Sequence, residues 1–197
     1  MNSQTTLKEQ CIKLPEVKFP ENLSLYKAFK KRESKRDMTE KEFTLQEISN
    51  LLWAACGINR ENGKSTAPLL WKHHVHIASV YGVHKYDAEK NKLNKVLEED
   101  IRSKMAFQDF VNKAPLIIIL GVNTDDMKND WLERLGGKDF YAGNQTSAVS
   151  QNIYLYAAAI DISTVAMTWY DKKFVDEKLG FTGGMQSFII HPIGYGK

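Results

Sequence analysis

Residues 116–122 read LIIILGV, an unbroken apolar run that follows Pro115. The run is short and rich in β-branched residues, which suits a strand rather than a helix. A strand apolar at every position has to be covered on both faces. This run therefore predicts a central strand of a sheet, covered on both faces. A chain of 197 residues supports one such core and is too short for two ordinary domains. It is expected to be one domain, or one domain that needs a partner subunit.

The other elements are read around that strand. Thr44 with Glu47 three residues on forms a capping box, and Leu45, Ile48, Leu51, Leu52 and Ala55 follow at helical spacing, with Gly57 as the stop. Val75 to Val83 alternates as a strand, and Tyr81, Gly82 and Tyr86-Asp87 suggest a turn and a short returning edge. Leu93 to Phe110 is amphipathic and is predicted mostly helical, and Asn123 to Lys138 is a charged helical excursion. Gln145 to Ile160 is apolar nearly all round and predicts a helix buried either in a large core or between subunits. Ser163 to Trp169 reads as a strand, Lys172 to Leu179 as a short helix and Ser187 to Ile193 as the last strand. Long helices outnumber strands, which predicts an α+β fold built on a sheet of four to five strands. Residues 1–22, with Pro15 and Pro20, lack helical periodicity and read as an N-terminal arm; residues 23–197 form the domain.

Composition narrows the function. Twenty-seven basic and 24 acidic side chains leave a net charge of +3, too balanced for a protein whose main task is gripping nucleic acid. Two cysteines, Cys11 and Cys56, exclude a disulfide framework and a thiolate zinc site. Cys56 reads as a small buried hydrophobe. No apolar run approaches the ~18 residues of a membrane helix, and Met1 to Gln10 lacks a signal-peptide core. A cytoplasmic protein is expected, with export of a longer precursor as the open alternative.

No glycine-rich dinucleotide motif, phosphate loop or nucleophile elbow is present. As a strand, Val75 to Val83 would send His74 and His76 to one face and His73 to the other. With no acidic or thiol neighbour in sequence, these histidines predict no metal site. The cluster Lys31-Arg32-Glu33-Ser34-Lys35-Arg36 fits either a solvated helix end, where cations suit the dipole, or a phosphate pocket of guanidinium and hydroxyl donors. Spacing alone leaves both open.

Several segments occur in a telling order. Arg32-x-Ser34-x-Arg36 after a short helix is followed by Leu51-Leu52-Trp53-Ala54-Ala55-Cys56-Gly57-Ile58-Asn59-Arg60 and Thr66-Ala67-Pro68. Then come Gly82-Val83-x-x-Tyr86-Asp87, Asp100-Ile101-Arg102, Ser150-Gln151-Asn152-x-Tyr154-Leu155 and a terminal Gly194-Tyr195. From about Leu25 to Lys197 the chain thus resembles the nitroreductase family of FMN-dependent flavoproteins, in particular its short bacterial members. The resemblance implies a three-layer α+β sandwich with a central mixed or antiparallel sheet, completed by homodimerisation, with FMN at the subunit interface. It implies an oxidoreductase that takes a hydride from NAD(P)H onto flavin N5 and passes it to a nitroaromatic, quinone or similar small-molecule acceptor. No catalytic side chain need be sought, because the flavin carries the chemistry.

By the same resemblance Arg32, Ser34 and Arg36 match the residues that hold the FMN phosphate and ribityl chain, with Glu33 between them. Lys197 resembles the family's basic tail. Pro68, Leu69, Leu70 and Lys72 match ring neighbours supplied by the partner subunit, and Thr168 and Trp169 stand behind the ring. Two stretches depart from the family pattern. The family's Pro-Ser-x-x-Asn-x-Gln is here Pro68-Leu69-Leu70-Trp71-Lys72-His73-His74, so an ammonium replaces an amide, and a cation there would raise the flavin potential. Trp169 stands at or beside a usual glycine. Trp71 and Trp169 each suit either core packing or the lining of a flavin pocket. These departures keep two alternatives in view: flavin-dependent oxidation of an azoline-like substrate, and a degenerate member that binds without catalysis.

Overall fold

The computed structural model describes residues 7–134 and 136–196. Among them, seven strands form one antiparallel sheet, more than the four to five expected. In chain order the strands are β1 (Cys11–Lys13), β2 (His73–Ser79), β3 (Gly82–Asp87), β4 (Lys92–Leu97), β5 (Leu116–Asn123), β6 (Ile162–Thr164) and β7 (Met185–Tyr195). Their order across the sheet is β1-β4-β3-β2-β5-β7-β6. The helices are α1 (Leu25–Lys31), α2 (Leu45–Cys56), α3 (Arg102–Met105), α4 (Trp131–Arg134), α5 (Gly137–Ala159) and α6 (Lys172–Lys178).

The apolar run sits at the centre as β5, between β2 and β7. Leu116, Ile118 and Leu120 join a core shared with α2 and α5, while Ile117 and Ile119 join a second core with Met105 of α3 and Val175 of α6. Alternate side chains of one strand thus enter two different cores, which is why every position is apolar. The result is a three-layer α+β sandwich.

Two extra strands account for the corrected count. Lys92–Leu97 is β4, not the start of a helix: Leu93 pairs with Tyr86 on β3 and with Ile12 on β1. Leu93, Val96, Leu97 and Ile101 fall at helical spacing, and pairing along both edges overrides that local signal. Only Arg102–Met105 and a 3-10 turn at Asp109–Lys113 are helical in the stretch to Phe110. Within the segment read as an arm, Cys11–Lys13 closes the sheet edge, and Ile12 and Leu14 are buried beside it.

The strand predicted at 75–83 ends at Ser79, and the expected turn leads into β3 as the returning edge; Gly82 there has φ +101° and would meet Leu97 O if it carried a Cβ. Ser163 to Trp169 is a strand only to Thr164; beyond it Met167 makes a single antiparallel bridge to Ile190. α5 buries Thr146, Val149, Ile153 and Ala157 against its own sheet, while Asn144, Ser147 and Gln151 face outward. Within one chain the helix is covered on one side, which leaves its other face for the second expected environment, a neighbouring subunit. Among the described residues no helix is long and apolar enough to cross a membrane.

Candidate functional site

The basic cluster begins where α1 ends. Ser24 caps the helix start, and Arg32 caps its end by donating its N–H to Ala28 O at 2.8 Å. The chain then runs along β6, with the Lys35 N–H donated to Thr164 O at 2.9 Å. Asp161, in the turn after α5, accepts Lys31 at 3.4 Å and Lys35 at 3.7 Å, and Glu33 lies 3.6 Å from Lys35. Asp161 and Glu33 therefore face the lysines. Among the described residues Arg32 and Arg36 enter no ion pair.

Arg32 instead lies over the ring of Tyr154 on α5, with Cζ 5.3 Å from the centroid. The Tyr154 hydroxyl stands 2.8 Å from Ser34 Oγ and accepts the Ala166 N–H at 2.8 Å. Ala166 opens the loop that carries Thr168 and Trp169. Both of these are exposed, and Trp169 meets the exposed Phe107 with centroids 5.8 Å apart. Arg32, Ser34 and the 165–169 loop are thus gathered around one phenol. Arg36 is exposed beyond them, and Lys197 lies outside the described residues.

Beneath Tyr154 sits His191, fully buried, its ring edge-on at 5.4 Å and 77°. Burial holds it neutral, with its pKa pushed down to about 3. Its nitrogens meet Ser150 Oγ at 2.8 Å and Thr164 Oγ1 at 3.1 Å, and Thr164 donates its hydroxyl to Pro192 O. Thr164 has one proton to give, so it accepts from Nδ1–H, and Ser150 donates to Nε2. One buried relay joins α5, β6 and β7 under the site.

The stretch from Pro68 to Lys72 is elsewhere. Gln145 on α5 accepts the N–H groups of Leu70 and Trp71 at 2.5 and 3.3 Å. At ~1.5 Å rise per residue, Gln145 lies about 13 Å from Tyr154 along the helix axis. Pro68, Leu70 and Lys72 are exposed and Leu69 is half-buried. Leu69 to Lys72 border a cleft of about 520 Å³ that Lys85 and Tyr86 close from β3. Burial and the neighbouring Lys72 ammonium both hold Lys85 below the usual lysine range. Trp71 packs against Trp131 and Tyr141. His73 and His76 point to opposite faces, one to Thr146 on α5 and the other to Phe181. Within one chain, therefore, the two predicted groups do not form one pocket.

Reading the sequence missed two groups. Tyr154 stood inside a recognised segment without a role, and only its place one turn beyond Ser150 on α5 could have marked it. Asp161 carries no sequence signal. It has a positive φ of 62° just beyond the end of α5.

Similarity to other proteins spans the same region. The sequence profile of the nitroreductase family matches residues 29–195. A protein of Methanocaldococcus jannaschii assigned to the nitroreductases is 28% identical over 177 residues, 82% of this chain and 86% of its own. A crystal structure of a protein from Ralstonia eutropha JMP134, also assigned to the nitroreductases, superposes with a TM-score of 0.87 at 26% identity, covering 98% of this chain and 92% of that one. An FMN-dependent nitroreductase of Clostridium difficile R20291 shares the fold, with a TM-score of 0.56, 20% identity and 87% coverage of each chain.

Proposed function

The chain belongs to the nitroreductase family, and on that premise we propose that it is an FMN-dependent NAD(P)H oxidoreductase acting on a nitroaromatic, quinone or similar small acceptor. The observation that carries this reading is the seat around Tyr154, where the Arg32 guanidinium and the Ser34 hydroxyl are left, among the described residues, without a carboxylate partner while Asp161 faces the lysines. That donor set fits a phosphate, since arginine forks and hydroxyls match its oxygens. At the other group, beside Leu70 and Trp71, the buried Gln145 Nε2 has no acceptor among the described residues, although its oxygen is occupied.

When bound, FMN supplies the hydride chemistry. The work of the chain is binding and orientation. Arg32, Ser34 and Arg36 hold the phosphate and ribityl end, with Glu33 keeping Lys35 occupied. The 165–169 loop, fixed by Ala166 to Tyr154 and by Met167 to Ile190, backs the ring. Lys72 would bring a cation to the bound flavin, and a cation there would raise its reduction potential.

We place the ring neighbours Pro68, Leu69, Leu70 and Lys72 on the partner of a homodimer. Their separation from Tyr154 within one chain supports this, as do the uncovered outer face of α5 and the exposed Leu25, Tyr26 and Phe29 of α1. Replacing Phe29 by Asp is expected to yield monomers in sedimentation and to lose the cofactor with them. The decisive test is the visible spectrum of the purified protein before and after adding FMN and gel filtration. Flavin absorption bleached anaerobically by NADH or NADPH is the expected outcome. A colourless protein that does not retain FMN overturns the reading.

A further inference from the structure

We infer that Tyr154 is a positioning residue that presets Ser34 as a hydrogen-bond donor and Arg32 as a cation for a phosphate group, an inference that rests on the flavin reading above. The hydrogen count supplies the argument. A backbone amide can only donate, so the Ala166 N–H occupies one lone pair of the Tyr154 oxygen. The phenol has a single proton. Among the described residues the only acceptor it meets is Ser34 Oγ, 2.8 Å away. If Tyr154 donates to Ser34, the Ser34 proton is released toward solvent, on the exposed side of the segment. The opposite sense would spend the serine proton on the phenol and turn a lone pair outward, which repels an anion. A hydroxyl that accepts one hydrogen bond is also the stronger donor of the next.

The same ring positions the guanidinium. Arg32 is anchored through its backbone as the α1 cap, and its Cζ rests 5.3 Å from the Tyr154 centroid. Cation–π attraction holds the charge in place while leaving its N–H edges free to donate. The ring is itself fixed edge-on by His191, tied between Ser150 and Thr164. One side chain of α5 therefore sets the end of α1, Ser34 and the 165–169 loop in a single register. Asp161 completes the arrangement by pairing with Lys31 and Lys35 rather than with Arg32.

FMN and riboflavin differ only by the phosphate, so their affinities for the full-length apoprotein test this directly. The wild type is expected to bind FMN more tightly. In Tyr154→Phe that preference should shrink by about tenfold, the loss expected of one hydrogen bond to a charged group, while riboflavin affinity changes little. Ser34→Ala should give the same loss, and the double variant no more than either single one, because the two hydroxyls act as a unit. Equal loss of both ligands in Tyr154→Phe, additive losses in the double variant, or a lowered melting midpoint with the preference intact would each make Tyr154 merely structural and overturn the proposal. A wild type that binds riboflavin as tightly as FMN removes the phosphate assignment itself, and the positioning role with it.

Discussion

At the scale of single residues, the basic cluster shows how little charge counting says about a site. Five cations lie between Lys30 and Arg36, and their roles differ because of one carboxylate that the sequence places far away. Asp161 pairs with Lys31 and Lys35 across exposed gaps of 3.4 and 3.7 Å, contacts of small energetic weight that still decide which cations remain available. Replacing Arg32 by Ala is expected to weaken FMN binding by about 1.5–3 kcal/mol, the range for a hydrogen bond to a charged group. Lys31→Ala should change it far less. Calorimetric titration of the two variants checks this, and equal affinities would remove Arg32 from the phosphate seat. Arg32 and Ser34 could be picked out by the family resemblance, though not by spacing alone. Tyr154 could not, because its role depends on Ala166 and Ser34 arriving at the same oxygen.

Elements behave according to how local their determinants are. α2 was legible in full: Thr44 accepts the Glu47 N–H, Glu47 reaches back to the Thr44 N–H, and Gly57 closes the helix on Trp53 O. Burial would raise the Glu47 carboxyl, but hydrogen bonds from Tyr195 and Thr44 outweigh it and hold the group lowered. Thr44→Ala is expected to destabilise the protein by about 1 kcal/mol through the lost cap, read as a lower denaturant midpoint with unchanged slope. β4 was not legible. Its apolar residues at 93, 96, 97 and 101 satisfy a helix as well as a strand, and only the distant edges of β1 and β3 choose between them. β1 itself is three residues long, too short to carry a periodicity.

Across the whole molecule, burial of histidines sets the response to acid. Burial pushes His76 and His191 down to about 3 and His73 and His74 down to about 4, with the Lys85 charge adding to the effect at His74 and His76. In the unfolded chain each titrates near 6.5. Below that pH the unfolded state binds protons that the folded state refuses, so stability present above pH 6.5 is lost as the pH falls toward 4. The slope is about 1.4 kcal/mol per pH unit for each fully buried histidine, His76 and His191. Denaturant melts at pH 7 and pH 5 should show the loss, and equal or greater stability at pH 5 would contradict it.

The sequence alone determined the layered plan, because a strand apolar at every position has only one kind of environment. It also determined α2, the part of α5 from Gln145 onward and the order of the cofactor-type segments, since caps and periodicities act within a few residues. Tertiary structure decided what depends on partners far apart in the chain. Those are the two added strands, the pairing of Asp161 with the lysines, the relay through His191, and the ~13 Å along α5 that separates Tyr154 from the Gln145-bound stretch at Leu70 and Trp71. Pairing energy and hydrogen-bond complementarity belong to surfaces that exist only once the chain has closed on itself. A residue such as Tyr154 therefore has a role in the fold that no spacing rule can assign.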